Sequence, residues 1–117
     1  MYLEYHQLSK TDKKIVRALL DKGQAAEFKW GMEKFDSVLQ AWRNEGDNHQ
    51  DNYYKIFNAV RDFDKQIARR YDGMSGSKFL LVLAGQVYDK LIDEAELESL
   101  SDNVRDFILR IVRINES

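Results

Sequence analysis

Apolar residues in this chain recur at three- and four-residue steps almost from end to end, the spacing that lines one face of an α-helix. Ser9-Lys10-Thr11-Asp12 opens the first such stretch, with Ser9 placed to cap it and Asp12 in the first turn near the positive helix end. Ile15, Val16, Leu19 and Leu20 form a stripe, and Phe28, Met32, Phe35, Leu39 and Trp42 form a second. At 100° per residue Phe28 stands about 80° round from Leu20, so the two stripes are out of phase. Either Gly23 ends one helix, or a single helix runs from about residue 10 to 44 and meets different neighbours along its length. The first stripe continues through Leu19, Gly23, Ala26 and Trp30, again in helical steps, which favours the single helix.

Asn44 to Asn52 is a polar connector, with Gly46 as the helix-ending residue and Asp51 as the next N-cap. Tyr53, Ile56, Phe57, Val60, Phe63, Ile67 and Tyr71 then mark a helix that stops at Asp72-Gly73. Ser75 or Ser77 opens a segment, 77–92, that is apolar almost all round and therefore reads as the central helix. Asp93 and Glu96 have capping-box spacing and begin a short acidic turn. Ser101 caps a last helix with a seam of Val104, Phe107, Ile108, Ile111 and Val112. No segment keeps a period of two. The expected structure is all-α: a small bundle of four main helices plus one short helix, forming a single helical domain over residues 1–117.

Composition sharpens this reading. Proline is absent from 117 residues, where average usage of about 5% would give about six, as expected of long helices joined by short turns. Cysteine is absent too, which removes disulfides, thiolate metal sites and cysteine nucleophiles together. The longest apolar run, Phe79 to Ala84, is far short of the roughly 20 residues of a membrane span. With no basic, apolar leader at the N-terminus, a cytoplasmic protein that avoids membranes is expected.

The chemistry-bearing residues are few. His6 and His49 have no partner at metal-ligand spacing, and no metal or other cofactor is expected. Asp72-Gly-Met-Ser-Gly-Ser-Lys78 has the glycines and lysine of a phosphate loop without its spacing or its preceding strand, and reads as a turn between helices. The densest polar string runs from Arg61 to Asp72. Arg61, Asp62, Asp64, Arg69 and Arg70 are its candidate polar site, with Arg61 and Arg69 able to grip an anionic small ligand, or else to make ordinary surface ion pairs. Lys10, Lys13, Lys14 and Arg17, with Arg69 and Arg70, could contact nucleic acid, but a net charge of −2 disfavours that partner. Trp30 lies off the Phe28–Trp42 stripe, and is either an anchor buried within the domain or, with Ala26 and Leu19, a candidate protein interface.

The layout resembles a family of short, uncharacterised bacterial helical proteins. The features that carry the likeness are the opening Asp12-Lys-Lys, the aromatics Phe35 and Trp42 towards the end of a long helix, the string Phe63…Arg69…Tyr71, and the acidic turn Asp93-Glu-Ala-Glu96. Family members carry histidines flanking the phenylalanine, where this chain has Arg61 and Asp64, so histidine chemistry is not implied here. The resemblance implies a helical fold and a bacterial cytosolic origin, and no activity. Without a catalytic constellation, the leading expectation is a non-enzymatic module that binds another protein or itself. The alternatives are the anionic-ligand or enzyme site at Arg61, Asp64 and Arg69, and nucleic-acid binding through the first helix.

Overall fold

The computed structural model describes residues 2–116, which form helices and no strand. Helix α1 spans Lys10–Glu45, α2 His49–Tyr71, α3 Phe79–Tyr88 and α4 Asp102–Glu116, with 3₁₀ turns at Tyr5–Gln7, Gly76–Lys78 and Glu94–Ser99. No helix among the described residues is long and apolar enough to cross a membrane. The chain divides into two compact units, Met1–Ala26 with Gly73–Ser117, and Glu27–Asp72.

Helix α1 is continuous, as the run Leu19-Gly23-Ala26-Trp30 indicates. Gly23 is no terminator. A Cβ built there would come within 2.5 Å of the Gln86 side chain, which is fully buried and donates from Nε2 to the Leu20 carbonyl at 3.0 Å. The helix ends at Gly46, in the left-handed region at φ 58°, with its amide on the Trp42 carbonyl at 2.8 Å.

Helix α2 begins earlier than its sequence suggests. Asn48, not Asp51, is the N-cap: its Oδ1 accepts the Asp51 amide at 3.0 Å, while its Nδ2 donates to Asp51 Oδ2 at 2.9 Å. Asparagine and aspartate both cap well, and the pair reciprocates across the first turn.

The apolar segment expected as a helix over 77–92 is shorter, Phe79–Tyr88. It closes on Lys90 at φ 62°, with the Leu91 amide on the Gln86 carbonyl and the Lys90 amide on the Val87 carbonyl. That is the hydrogen-bond pattern of a Schellman ending, adopted without its usual glycine. Ile92 lies beyond the helix yet is buried. The helix is not enclosed all round, since Leu81 and Tyr88, one turn pair apart on a common face, are exposed.

The first unit carries the larger apolar core. Val16 and Leu20 of α1, Leu83 and Val87 of α3, and Val104, Ile108 and Val112 of α4 meet there, with Leu97 and Leu100 closing the acidic turn. The segment before Ser9 joins this core, a placement the sequence pattern did not announce. Leu8 is buried, the Tyr5 ring stands edge-on to Phe79 at 4.7 Å, and Tyr2 does the same to Phe107 at 5.7 Å.

Asp12 ties the start of α1 to the start of α4. Ser9 Oγ caps its amide at 3.1 Å, and the buried carboxylate accepts the Ser101 amide at 3.0 Å and the Ser101 hydroxyl at 2.7 Å. Around the acidic turn, the box between Asp93 and Glu96 forms as the spacing implied. Glu96 also pairs with Lys22, and Glu94 takes both Arg113 amino groups at 2.6 and 3.2 Å. The Arg113 hydrogen bond holds the Glu94 carboxyl below its ordinary value, and that from Lys22 does the same for Glu96.

In the second unit, α1 and α2 form an antiparallel hairpin. Its centre is Phe63, whose ring lies so close to Gly31 that a Cβ there would meet it at 2.5 Å. Phe28, Phe35 and Trp30 surround the same ring at centroid distances of 5.9, 5.6 and 6.1 Å.

Two predictions follow from this packing. Gly31→Ala should lower the melting temperature: overpacking a well-filled contact costs about 1–3 kcal/mol, more than the roughly 1 kcal/mol that alanine returns in a helix interior. Phe63→Leu in the Gly31→Ala background should recover part of the loss, whereas a more stable Gly31→Ala single variant would contradict the packing. The second concerns acid. Burial raises the Asp12 carboxyl, but the Ser101 and Ser9 hydrogen bonds outweigh it and leave the group below its ordinary 3.8. A depressed folded value means the stabilisation is complete above about 3.8 and is lost as pH falls through the lower folded value. Urea unfolding should therefore show Asp12→Asn less stable than the parent by about 1.5–3 kcal/mol at pH 6, with the gap narrowing below pH 3.5; a gap independent of pH would refute the assignment.

Candidate functional site

The polar string of α2 does not assemble as one site. Arg61 is exposed, pairs with Asp62 at 3.6 Å and lies over the Phe57 ring at 5.8 Å. Asp64 and Arg69 are exposed on the helix surface. Arg61 and Arg69, eight residues apart, stand about 80° from each other round the helix and about 12 Å apart along it. Arg70 alone turns inward, to a partner that the sequence pattern did not single out.

That partner is Glu27, 1% exposed. Its Oε1 accepts the Tyr71 hydroxyl at 2.6 Å and its Oε2 accepts Gln66 Nε2 at 3.0 Å. Arg70 Nη1 reaches both oxygens at 3.2 Å. A buried carboxylate is tolerable only when charge-paired and hydrogen-bonded, and here one arginine and two neutral donors supply both conditions. Gln66 and Arg70 are four apart, on one face of α2, with Tyr71 alongside. With its lone pairs engaged by three side chains, Glu27 acts as a clasp between the helices. Nothing local in the sequence marks it, since its donors lie some forty residues away along the chain.

The most unusual surface of the hairpin is apolar. Taking Gly31 as the residue of α1 that faces α2, Phe28, Met32, Phe35 and Leu39 lie about 40–100° round the helix to one side. Taking Phe63 as the inward residue of α2, Tyr53, Phe57 and Val60 lie about 60–120° round. In an antiparallel pair these flanks share a side. A cavity of about 280 Å³ lined by Leu39, Trp42, His49, Asn52, Tyr53 and Ile56 bridges them. Met32 is 66% exposed, Tyr53 61%, Phe57 50% and Phe28 46%. The stripe Phe28-Met32-Phe35-Leu39-Trp42, which reads as a packing seam, is therefore largely an exposed face, with Phe35 and Trp42 half-buried at its inner edge.

The candidate interface residues are distributed differently. Leu19 is buried in the core of the first unit, where it cannot meet a partner, and Ala26 is half-buried. Trp30 is exposed, but on the other flank of α1 from Phe28, with the Lys34 ammonium 5.1 Å above its ring.

Other candidates take structural roles. Trp42 Nε1 donates to His49 Nδ1 at 3.0 Å, across the connector, which places His49 as an acceptor at that nitrogen. His6 Nδ1 lies 3.1 Å from Glu4. Among the described residues no group of three histidine, aspartate or glutamate side chains is placed to hold a metal ion. Within the basic stretch of α1, Lys13 stands over the Tyr5 ring at 5.8 Å. Gly73 of the turn before α3 is left-handed at φ 67°, and the Ser75 and Ser77 hydroxyls hydrogen-bond to each other at 3.0 Å.

Removing both partners of the clasp together should cost less than the two separate losses added. Glu27→Gln is expected to lose about 3 kcal/mol, because Arg70 is left with a half-buried charge. Glu27→Gln with Arg70→Gln should lose less than the sum of the single changes, measured by denaturant unfolding as a double-mutant cycle. Strict additivity would mean that the two side chains do not interact. No protein-family model matches the chain, and no characterised protein matches it either.

Proposed function

We propose that the chain is a protein-interaction module whose working surface is the apolar flank of the α1–α2 hairpin. The observation that carries this reading is that Phe28, Met32, Leu39, Tyr53, Phe57 and Val60 are all exposed and fall, at 100° per residue, on one side of the two helices. Their combined exposed surface is on the order of 600 Å², at the upper end of the largest apolar patch on a typical monomer, and such patches mark interaction sites. Large aromatic and methionine side chains are the groups that dominate binding energy at interfaces. The cavity beside Leu39 and Tyr53 offers a socket for a partner's anchoring side chain. Trp30 is exposed on the opposite flank of the same helix, outside this surface. The polar string supports an anionic-ligand reading less well, because Arg70 is committed to Glu27 and an acidic neighbour, Asp62, lies beside Arg61.

A photo-crosslinking amino acid placed at Phe57 in the native host should yield crosslinked protein products, several-fold more than the same group at the exposed Asn58. Adding Met32→Glu should abolish them. Equal yields at the two positions would rule the surface out.

A further inference from the structure

We infer that the occupant of this surface is a second copy of the chain, two α1–α2 hairpins closing face to face into a four-helix bundle. The inference rests on reading the flank as a binding surface, and three observations choose the occupant. The first is area. An apolar patch on the order of 600 Å² needs only a modest polar rim to reach the roughly 800 Å² per partner of a standard interface, and a copy brings an equal patch.

The second observation is architecture. A helix pair is a single layer, and stable helical layers bury their apolar faces against another layer. Among the described residues Phe63 is the only large hydrophobic side chain buried in the hairpin, whereas Phe28, Met32, Leu39, Tyr53, Phe57 and Val60 are exposed on its open side. The steps Phe28-Met32-Phe35-Leu39-Trp42 are those by which bundle helices interlock. Met32, unbranched and the most exposed of the set, is a protruding knob. The cavity lined by Leu39 and Tyr53 is a recess on the same face. A two-fold axis satisfies knob and recess twice with one contact.

Charge is the third. Lys29 and Asp36 on α1, and Arg61 and Asp64 on α2, fall on the patch's side of their helices at 100° per residue and border it with both signs. A copy meets no single-sign field to repel it, and a strongly basic or acidic partner finds no complementary one.

The test is the mass of the full chain by light scattering and sedimentation equilibrium across a dilution series. The parent should show twice the monomer mass and dissociate reversibly on dilution. Met32→Glu and Phe57→Glu, both at exposed positions, should weaken dimerisation by about thirtyfold or more with unchanged far-UV circular dichroism. Asn58→Glu, outside the patch on the same helix, should leave it intact. Should either glutamate variant lose helicity, Met32→Ser and Phe57→Ser read the same equilibrium. A parent that stays monomeric up to about 1 mM would overturn the dimer, as would a dimer indifferent to both face substitutions. The crosslinking at position 57 separates this failure from that of the underlying reading. Products containing a different protein would leave the surface an interface and the copy wrong; no products above the Asn58 control would end both.

Discussion

Helix α1 has to serve two compact units without a break, and that requirement shapes the rest of the chain. Over 36 residues its backbone groups are satisfied internally, so nothing in the main chain marks the change of unit at Ala26. The side chains carry the change instead. Val16 and Leu20 point into the first core, and from Phe28 onwards the apolar stripe is rotated. Where α1 comes against its neighbours within each unit, bulk is removed at the points of contact. Gly23 admits Gln86, and Gly31 admits the Phe63 ring. Each glycine costs about 1 kcal/mol of helix propensity relative to alanine, which the packing it permits has to offset.

Buried polar groups set the register of what α1 touches. Asp12 receives Ser101 from the start of α4, Gln86 reaches the Leu20 carbonyl, and Glu27 collects Gln66, Arg70 and Tyr71 from α2. Apolar contacts tolerate a slide by one helical turn far better than these do, because a shifted donor leaves a buried acceptor unpaired at a cost of about 1–3 kcal/mol. The three anchors are spaced along α1 about two turns apart or more, so a slip at any level is penalised.

Periodicity made the helices legible, along with the Gly46 and Asp72-Gly73 endings and the Asp93–Glu96 box, because those signals are local. It did not separate a core seam from an open one. The stripes Val104-Phe107-Ile108 and Phe28-Met32-Leu39 look alike in sequence, yet the first is buried and the second is not, a difference set by what lies opposite. Local rules also failed at the two ends where competing residues were available. Asn48 took the cap that Asp51 could have made, and Lys90 adopted the left-handed conformation that a sequence reader reserves for glycine. Glu27 was hidden because nothing near it in sequence distinguishes a buried glutamate from a solvated one; its donors lie some forty residues away.

The two units differ in what holds them. The first has a broad apolar core spread over α1, α3, α4 and the acidic turn. The hairpin has Phe63 in a ring of aromatics, the Glu27 clasp at its base and the Trp42–His49 hydrogen bond near its connector. Directional contacts at three levels fix the alignment of its helices while burying little apolar surface, so most of its aromatic and methionine side chains remain outside. A hairpin that needed those side chains for its own cohesion would have to collapse around them. Because its register is secured by a small residue, a salt bridge and an indole, the large apolar groups are released from that task and stand on helices of fixed alignment. Pre-ordering matters for binding, since a surface whose side chains and backbone are already placed loses less entropy on association. The economy of the hairpin's interior is thus the condition for the richness of its exterior.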